Sequence, residues 1–462
     1  MSATLPLNVE DLDWARLCYE LVSMLRSYVQ IDTTNPPGNE VAAARFLEQV
    51  LSSEGIFCRI HQSEPERANL VARLEPDHMD DPEPPLLLLH HMDVVAADIP
   101  SWRFPPFSAT LEGTSIWGRG TLDAKGLGVM QLMAFVLLRR FNVQLRRPVI
   151  LLAVADEEQG GTLGAAWMVQ HHWPEVQCEY LWDEGGFGTV GVMSETPVFA
   201  VAVSEKRWMQ VKLTALGQAG HASMPPAPGT AALDRLVRAL DQLHRSEMPI
   251  ELNDVTREFF RRIGRLQKFP VSLLLRNLSL PPALSLVKGK LAQRPAINAM
   301  LRSTIALTRV QAGYMDNVIP ERAEAVLDVR LLPEADPEVA HQRIERIIDN
   351  PAVEVEVMGY AAASPQSPFN SAMFKAIEAA ASRQRPHSLT VPLQSPGSTD
   401  SRHFRTLGVK AYGLVPIIIT QEELDTFHGV DERISVDNLV LGTRIILEVV
   451  LRLCQDTSFS TR

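Results

Sequence analysis

The stretch PLLLLHHMDVV, residues 85–95, decides the fold, because a short apolar segment runs directly into polar residues. Four leucines suffice for a strand but not for a membrane span, and a strand without polar alternation is typical of a buried parallel sheet. The pattern recurs in RPVILLAVADEEQGG (147–161) and CEYLWDEGG (178–186). Helical periodicity in 40–55 and 126–141 alternates with these strands. The sequence therefore predicts an α/β fold with a mostly parallel central sheet flanked by helices.

The pattern changes after residue 205. Residues 206–363 read as strand, helix, strand, strand, helix, strand, an order that is typical of a ferredoxin-like α+β unit. Within them, residues 251–300 are irregular and contain basic patches. We predict a larger domain in two parts, 1–205 and 364–462, with the smaller domain inserted at 206–363.

Composition indicates a soluble globular protein. The 462 residues are 46% hydrophobic and carry 44 Lys+Arg against 55 Asp+Glu, a net charge of −11, which disfavours nucleic acid as a partner. No run of 18 apolar residues occurs and the first twenty residues have no signal-peptide pattern, so we expect no membrane partner and a cytoplasmic location. The cysteines are scattered, as in proteins of reducing compartments: Cys18, Cys58, Cys178 and Cys454.

Acidic and imidazole side chains follow the ends of the predicted strands. His91 follows the first, Glu158 the second and Asp183 the third, while Asp123 and His428 lie in loops. Because parallel strands end at one edge of a sheet, these groups can meet there and offer nitrogen and oxygen ligands to divalent cations. Taken singly, each has a structural explanation, such as a hydrogen-bonded histidine, a solvated acidic turn or a helix cap. Together they predict a metal site, because buried acids need a compensating cation.

Nine short motifs, taken in order, resemble one family of enzymes. They match the co-catalytic di-zinc metallohydrolase family of glutamate carboxypeptidase, acetylornithine deacetylase, succinyl-diaminopimelate desuccinylase and aminoacylase, from about residue 30 to the end of the chain. The motifs are HMDVV (91–95), GRGTLDAKG (118–126), DEEQGG (156–161), DEGG (183–186), GHAS (220–223), NVIP (317–320), LDVR (327–330), GSTDSRHF (397–404) and FHGVDE (427–432).

The resemblance implies a zinc-peptidase-like catalytic domain with an inserted lid domain, and two Zn²⁺ ions per subunit, for which Co²⁺ or Mn²⁺ can substitute. By this resemblance His91 and Asp183 hold one ion, Glu158 and His428 hold the other, and Asp123 bridges the two. Two such ions can share and activate one water molecule.

The resemblance also assigns catalytic roles. Glu157 resembles the family's general base, and Asp93 the carboxylate that fixes the imidazole tautomer of His91. His90 is expected to be a bystander. The family often has a cis peptide after the bridging aspartate, here Asp123–Ala124.

In the lid, His221 resembles a histidine that reaches into the partner's active site and stabilises the oxyanion, which implies a homodimer through the lid domain. Arg330 and Asn317 resemble groups that bind the substrate's carboxylate, and Ser398 resembles a residue near the substrate backbone. Two alternatives stay open: His221 merely ends a turn, or an extended lid supplies this contact within one chain. Arg330 alone could equally be an exposed strand residue.

The function implied is a metallopeptidase or amidohydrolase. It would cleave an amide or peptide bond in a small molecule or short peptide with a free carboxylate, as a carboxypeptidase, dipeptidase or N-acyl amino acid deacylase, through a metal-bridging hydroxide. The alternative is a non-catalytic homologue that uses the metal site for binding or regulation. A serine hydrolase is disfavoured because no G-x-S-x-G motif occurs. Residues 102–113 and 254–300 exceed a minimal lid and are apolar, which predicts room for a bulky apolar acyl group or side chain.

Overall fold

The computed structural model describes residues 7–77 and 82–456. The strands are β1 Cys58–Glu64, β2 Arg67–Leu74, β3 Leu86–His91, β4 Thr110–Glu112, β5 Ser115–Trp117, β6 Val149–Val154, β7 Tyr180–Thr189, β8 Val198–Glu205, β9 Arg207–Leu216, β10 Gly220–His221, β11 Thr304–Ala312, β12 Val318–Ile319, β13 Arg322–Leu331, β14 Val353–Tyr360, β15 Leu389–Ser395, β16 Lys410–Ile419 and β17 Arg433–Ser435. The α-helices are α1 Trp14–Val29, α2 Glu40–Ser53, α3 Lys125–Arg140, α4 Ala165–His171, α5 Trp173–Val176, α6 Ala232–Arg245, α7 Asp254–Ile263, α8 Val271–Arg276, α9 Pro281–Ala292, α10 Pro295–Leu301, α11 Pro337–Ile348, α12 Ala372–Gln384, α13 Ser401–Arg405, α14 Gln421–Leu424 and α15 Val436–Cys454.

A large sheet forms the centre of the molecule. Its strand order is β1-β2-β6-β3-β7-β16-β8-β15, with parallel pairing at β6–β3, β3–β7, β7–β16 and β8–β15. Every residue of β3 and β6 is buried, and α3 is buried along almost its whole length against the sheet. The expected α/β class, with a mainly parallel sheet between helices, is confirmed.

The smaller sheet has four antiparallel strands in the order β11-β13-β9-β14. Helices α6 and α11 pack against it around Val211, Leu236, Leu327 and Ile344. The chain leaves the large sheet after Glu205 and returns to it at Leu389, so this unit is an insertion with the ferredoxin-like order. We call residues 207–360 without 254–301 the lid.

Residues 254–301, here called the cap, form helices α7 to α10 and pack on the large sheet. Phe259, Ile263 and Leu301 share one apolar cluster with Val198 of β8 and Val391 of β15. The sequence-based boundaries assign the cap to the lid because it lies between two lid elements in the chain. Its apolar side chains are nevertheless buried against the large sheet. The cap therefore belongs with the larger domain in space, and it lies beside the functional site.

Among residues 7–77 and 82–456 no helix is long and apolar enough to cross a membrane. The four cysteines are free thiols, and none of them pairs with another. Strands β3, β6 and β7 run parallel and end at one edge of the large sheet, so the polar residues that follow them are brought together there.

Candidate active site

Asp123 lies at the centre of the polar cluster, between two histidines. Its Oδ1 is 2.9 Å from Nε2 of His91, at the end of β3, and its Oδ2 is 2.6 Å from Nε2 of His428. The carboxylate is buried, and the peptide bond that follows it, Asp123–Ala124, is cis. His428 has a φ of 56°, a left-handed conformation that is uncommon outside glycine and recurs at functional sites. One carboxylate therefore joins two imidazoles that are far apart in the chain.

Two groups of ligand atoms share Asp123. His91, Asp123 and Glu184 form the first group, and Asp123, Glu158 and His428 form the second, with the ligand atoms of each group within 4.8 Å of one another. Oε2 of Glu184 lies 3.8 Å from Nε2 of His91, and Oε1 of Glu158 lies 3.4 Å from Nε2 of His428. This is the arrangement that two cations bridged by one carboxylate require.

Asp183 is placed differently from the sequence-based prediction, which makes it a ligand beside His91. Its Oδ2 accepts hydrogen bonds from the backbone N–H and the hydroxyl of Ser401, at 3.0 and 2.8 Å, and its Oδ1 accepts one from the N–H of Glu184. The carboxylate of Asp183 thus binds the first turn of α13 and not His91, and the carboxylate of Glu184 lies beside His91. Burial raises the pKa of Asp183 to about 6.

The charges of the site fit a pair of divalent cations. Burial raises the pKa of Glu158, and burial together with neighbouring carboxylates raises the pKa of Glu157, Glu184 and Asp400 well above the usual range. Both carboxylate oxygens of Asp400 and Oε1 of Glu158 are buried and accept no hydrogen bond from the residues that the structure describes. The hydrogen bond to Asp123 and the nearby carboxylate of Glu158 raise the pKa of His428 to about 10. Several carboxylates buried together are stable in their charged form only beside positive charge. The nitrogen and oxygen donors of the cluster suit Zn²⁺ and similar ions.

Asp93 holds the acidic turn after β6. Its carboxylate accepts hydrogen bonds from the backbone N–H groups of Glu157 and Glu158, each at 3.1 Å, and from the side-chain amide of Asn35 at 2.8 Å. The Nδ1 atom of His91 is 2.9 Å from the carbonyl oxygen of Asp93 and 3.5 Å from its carboxylate. Asp93 therefore positions both His91, a candidate ligand, and the turn that carries Glu157.

His90 faces away from the cluster. Its Nδ1 lies 3.3 Å from Oε1 of Gln131 and its Nε2 lies 3.4 Å from the hydroxyl of Tyr28. A Cβ atom at Gly128 would lie 2.4 Å from the His90 ring, so α3 can approach this closely only with glycine there. Burial lowers the pKa of His90 to about 3, so the ring stays neutral.

Glu432 fixes the loop that presents Asp123, a role that the sequence reasoning did not assign. This fully buried carboxylate accepts hydrogen bonds from the backbone N–H groups of Gly120, Leu122 and Asp123, and pairs with Arg119 at 2.6 Å. Glu432 is the last residue of the motif that contains His428, so one short segment supplies one candidate ligand and holds the loop of another, Asp123. The pair Asp431–Glu432 at the end of that motif was the only sequence signal that could have drawn attention to Glu432.

The predicted lid residues lie outside this cluster. His221 is exposed, and its Nδ1 is 2.8 Å from the hydroxyl of Ser223. The carbonyl of Asn317 accepts a hydrogen bond from Ala222, because β10 pairs with β12. The guanidinium of Arg330 forms two hydrogen bonds to Asp328, at 2.7 and 3.0 Å.

The cluster opens into an apolar cavity of about 430 Å³. Asp123, Glu157, Glu158, Glu184 and His428 lie in its wall at one end, and Ser398 lies on the loop that borders it. The remaining wall is largely apolar, and it includes Phe187, Val192, Met193, Phe259, Ile297, Met300, Leu393, Leu424 and Phe427. The cap thus contributes Phe259, Ala296, Ile297 and Met300 to this cavity. Residues 102–113 are not in its wall, and Trp102 instead packs on the guanidinium of Arg119.

The model of peptidase family M20/M25/M40 matches residues 87–452. The chain belongs to this family. It is therefore a metallopeptidase or amidohydrolase that cleaves amide or peptide bonds, as the resemblance implies.

Curated relatives include the N-fatty-acyl-amino acid synthase/hydrolase PM20D1 of Xenopus tropicalis, which is 31% identical over 374 residues, or 79% of this chain and 72% of that protein. The human protein of the same name is 31% identical over 377 residues, or 79% and 73%. The probable carboxypeptidase S-like 2 of Dictyostelium discoideum is 29% identical over 371 residues, or 78% and 70%.

Solved structures share the fold. The M20 family metallo-carboxypeptidase Sso-CP2 from Sulfolobus solfataricus has a TM-score of 0.68 at 18% identity, over 94% of this chain and 99% of that one. Human carnosine dipeptidase 1 has a TM-score of 0.67 at 14% identity, over 97% and 99%. The YXEP protein of Bacillus subtilis, described as a dinuclear metal binding peptidase, has a TM-score of 0.58 at 15% identity, over 95% and 98%.

Proposed function

We propose that this chain is a di-zinc hydrolase that cleaves N-acyl amino acids with a long apolar acyl group, releasing a fatty acid and an amino acid. The observation that carries the proposal is the apolar cavity, which continues from the carboxylate cluster between the cap and the large sheet. Its volume of about 430 Å³ suits an extended acyl chain rather than an acetyl group. The PM20D1 relatives, whose name includes N-fatty-acyl-amino acid hydrolysis, support the same substrate class.

Two Zn²⁺ ions are proposed as the native metals, with Co²⁺ or Mn²⁺ as substitutes. His91 and Glu184 would hold one ion, Glu158 and His428 would hold the other, and Asp123 would bridge them. Bound there, the ions would polarise the substrate's carbonyl and lower the pKa of a shared water molecule.

Glu157 is proposed to move the proton. It lies in the cavity wall beside the ligand carboxylates, and its backbone N–H is fixed by Asp93. Burial and the neighbouring carboxylates raise the pKa of Glu157, so its carboxylate accepts a proton readily and can return it to the departing nitrogen. Asp93 is proposed to keep Glu157 and His91 in the geometry that this transfer needs.

The lid is proposed to complete the site from a second copy of the chain. His221 is exposed and lies outside the cavity wall, as a group that acts on a partner subunit would. The edge strand β11 presents Leu307 and Val310, each 50% exposed, to such a partner. Arg330 and Asn317 are proposed to bind the substrate's carboxylate, which would then compete with Asp328 for the guanidinium of Arg330. Ser398 is proposed to lie along the amide being cleaved.

A reducing, cytoplasmic location is also proposed. The four free cysteines support it, since a secreted protein of this length commonly pairs such thiols.

The experiment that tests the proposed function is a panel of N-acyl amino acids whose acyl chains lengthen from acetyl to palmitoyl, with dipeptides alongside. Each buried methylene contributes about 0.8 kcal/mol, so kcat/KM is expected to rise roughly fourfold per added methylene until the cavity is full. Metal-depleted protein and Glu157→Ala serve as inactive controls. A preference for acetylated substrates or dipeptides would contradict the proposal.

A further inference from the structure

The cap has a charge opposite to that of the whole chain. Residues 254–301 contain nine Lys and Arg against two acidic residues, Asp254 and Glu258, whereas the whole chain carries a net charge of −11. Arg257 pairs with Asp254, and Arg261 and Arg262 pair with Glu258. The other six are exposed and have no carboxylate within ion-pair distance among the described residues: Arg265, Lys268, Arg276, Lys288, Lys290 and Arg294.

Large apolar side chains are exposed among these cations. Phe269 is 82% exposed, Leu286 is 71% exposed, and Leu280 and Leu273 are 57% and 54% exposed. Scattered exposed leucines are ordinary, but four large apolar side chains within eighteen residues form a concentration that marks an interaction surface.

These side chains lie on the outer side of the cap. In α9, Ala283 and Val287 are buried, and Val287 belongs to the apolar cluster that the cap shares with the large sheet. Leu286 and Lys290, which share a helix face, are exposed and point outward. Helix α8 packs on α9, buries Leu275 and exposes Leu273. The inner side of the cap, with Phe259, Ile297 and Met300, lines the active-site cavity.

We propose that this outer face of the cap docks on the surface of an anionic lipid bilayer. Exposed apolar side chains that can enter the interface, surrounded by unpaired Lys and Arg, are the pattern that such surfaces bind. The inference departs from the sequence-based expectation of no membrane partner, which rested on the overall acidic charge and not on the local charge of the cap.

The biological use of this docking rests on the proposed function, the hydrolysis of long-chain N-acyl amino acids. A long-chain N-acyl amino acid is itself an amphiphile that partitions into bilayers. Docking through the cap would bring the cavity, which lies on the other side of these helices, to the place where such a substrate accumulates. A bare nucleic acid is a poorer fit, because Leu273, Leu280 and Leu286 offer it neither stacking nor hydrogen bonds.

The test is sedimentation of the metal-loaded full chain with vesicles, without substrate. Vesicles of phosphatidylcholine with phosphatidylserine are expected to bind the protein, whereas phosphatidylcholine alone is expected to leave it in solution. Raising the salt from about 0.1 M to about 1 M shortens the Debye length from about 10 Å to about 3 Å and is expected to weaken the binding. Equal binding to both vesicle types, or binding to neither, would overturn the proposal.

Two variants locate the surface. Each basic residue near an anionic bilayer contributes about a fivefold factor, so K288E/K290E is expected to lower the vesicle partition coefficient about 25-fold or more. The matched control is R139E/R346E, which makes the same charge change at exposed, unpaired arginines of α3 and α11. Equal losses in both double variants would show an effect of net charge alone and would sink the docking assignment.

The apolar contribution is tested by F269S/L286S, which is expected to weaken binding to anionic vesicles while circular dichroism shows unchanged folding. Unchanged binding would overturn the apolar part of the docking surface. Hydrolysis of a water-soluble, short-chain N-acyl amino acid is measured in parallel for every variant. Absence of hydrolysis of any N-acyl amino acid by the wild-type chain would count against the proposed function. Absence of binding to anionic vesicles by a wild-type chain that hydrolyses these substrates would count against docking alone.

Discussion

At the scale of single residues, the site depends on two features. One is the carboxylate of Asp123, which contacts two imidazoles, and the other is the turn after β6, which carries Glu157 and Glu158. Asp123 contacts His91 and His428, while Asp93 holds the N–H groups of Glu157 and Glu158. The two neighbours Glu157 and Glu158 both line the cavity, but only Glu158 lies beside His428 in a group of candidate metal ligands.

Glu157→Gln is expected to lower kcat by about 10²–10⁴-fold, because general acid–base catalysis contributes that factor and an amide cannot take up the proton. Metal content, measured by atomic emission, is expected to stay at the wild-type value, since Glu157 belongs to neither ligand group. Glu158→Gln is the matched comparison and is expected to lower metal content as well as activity. Wild-type turnover in the Glu157 variant would refute the assigned role.

The adjacent acids Asp183 and Glu184 allow a second test. Glu184→Ala is expected to reduce the bound metal by one ion per chain, because Glu184 belongs to the His91 group. Asp183→Asn is expected to keep both ions and to lower stability by about 1–3 kcal/mol, because it disturbs the buried hydrogen bonds from Ser401. Metal stoichiometry and thermal melts of the two variants separate these outcomes, and the opposite pattern would restore Asp183 as the ligand.

The sequence could identify this pair of acids but could not choose between them. Strand ends supply carboxylates in either case, and the choice depends on which one α13 engages. Ser401 follows Asp183 by more than two hundred residues, so the contact is invisible to any local pattern. The role of Glu432 was missed for the same reason, because its carboxylate contacts the loop of Asp123 more than three hundred residues away in the chain.

At the scale of elements, the positions of strands and helices could largely be predicted from the sequence, but the packing of the helices on the sheets could not. The apolar strands β3 and β6 and the helices α2 and α3 lie where periodicity predicts them. The cap was expected to belong to the lid because of its place in the chain, yet its buried side chains contact β8 and β15. Sequence periodicity shows that a helix has an apolar face, but it does not show which sheet covers that face.

The cap supplies a prediction about substrate length. Ala296 of α10 lies in the cavity wall and is itself exposed, so a larger side chain there can enter the cavity without disturbing a packed core. Ala296→Phe is expected to lower kcat/KM for palmitoyl substrates roughly tenfold, a factor in line with the cost of overpacking, and to leave acetyl substrates unchanged. Ala292→Phe, outside the cavity wall, is the control. A uniform loss for all chain lengths would mean that the acyl group binds elsewhere.

At the scale of the whole molecule, one chain assembles the carboxylate and imidazole cluster but leaves the predicted lid groups apart from it. His221 and Asn317 lie together on the β10–β12 ribbon, and both are distinct from the cavity wall. The family resemblance could name His221 but could not say which copy of the chain it serves. That question belongs to the proposed homodimer, because a second subunit would change which side chains face each cavity.

Mixing two inactive variants tests whether His221 acts within its own chain or on the partner subunit. In a homodimer refolded from equal amounts of His221→Ala and Glu157→Ala chains, half of the dimers are mixed. If His221 acts on the partner subunit, each mixed dimer has one site with both an intact Glu157 and an intact His221, so activity recovers to about one quarter of wild type. If His221 acts within its own chain, every site lacks one of the two groups and the mixture stays inactive. Since His221 lies outside the cavity of its own chain, we expect the recovery, measured as hydrolysis of a long-chain N-acyl amino acid after the subunits have exchanged.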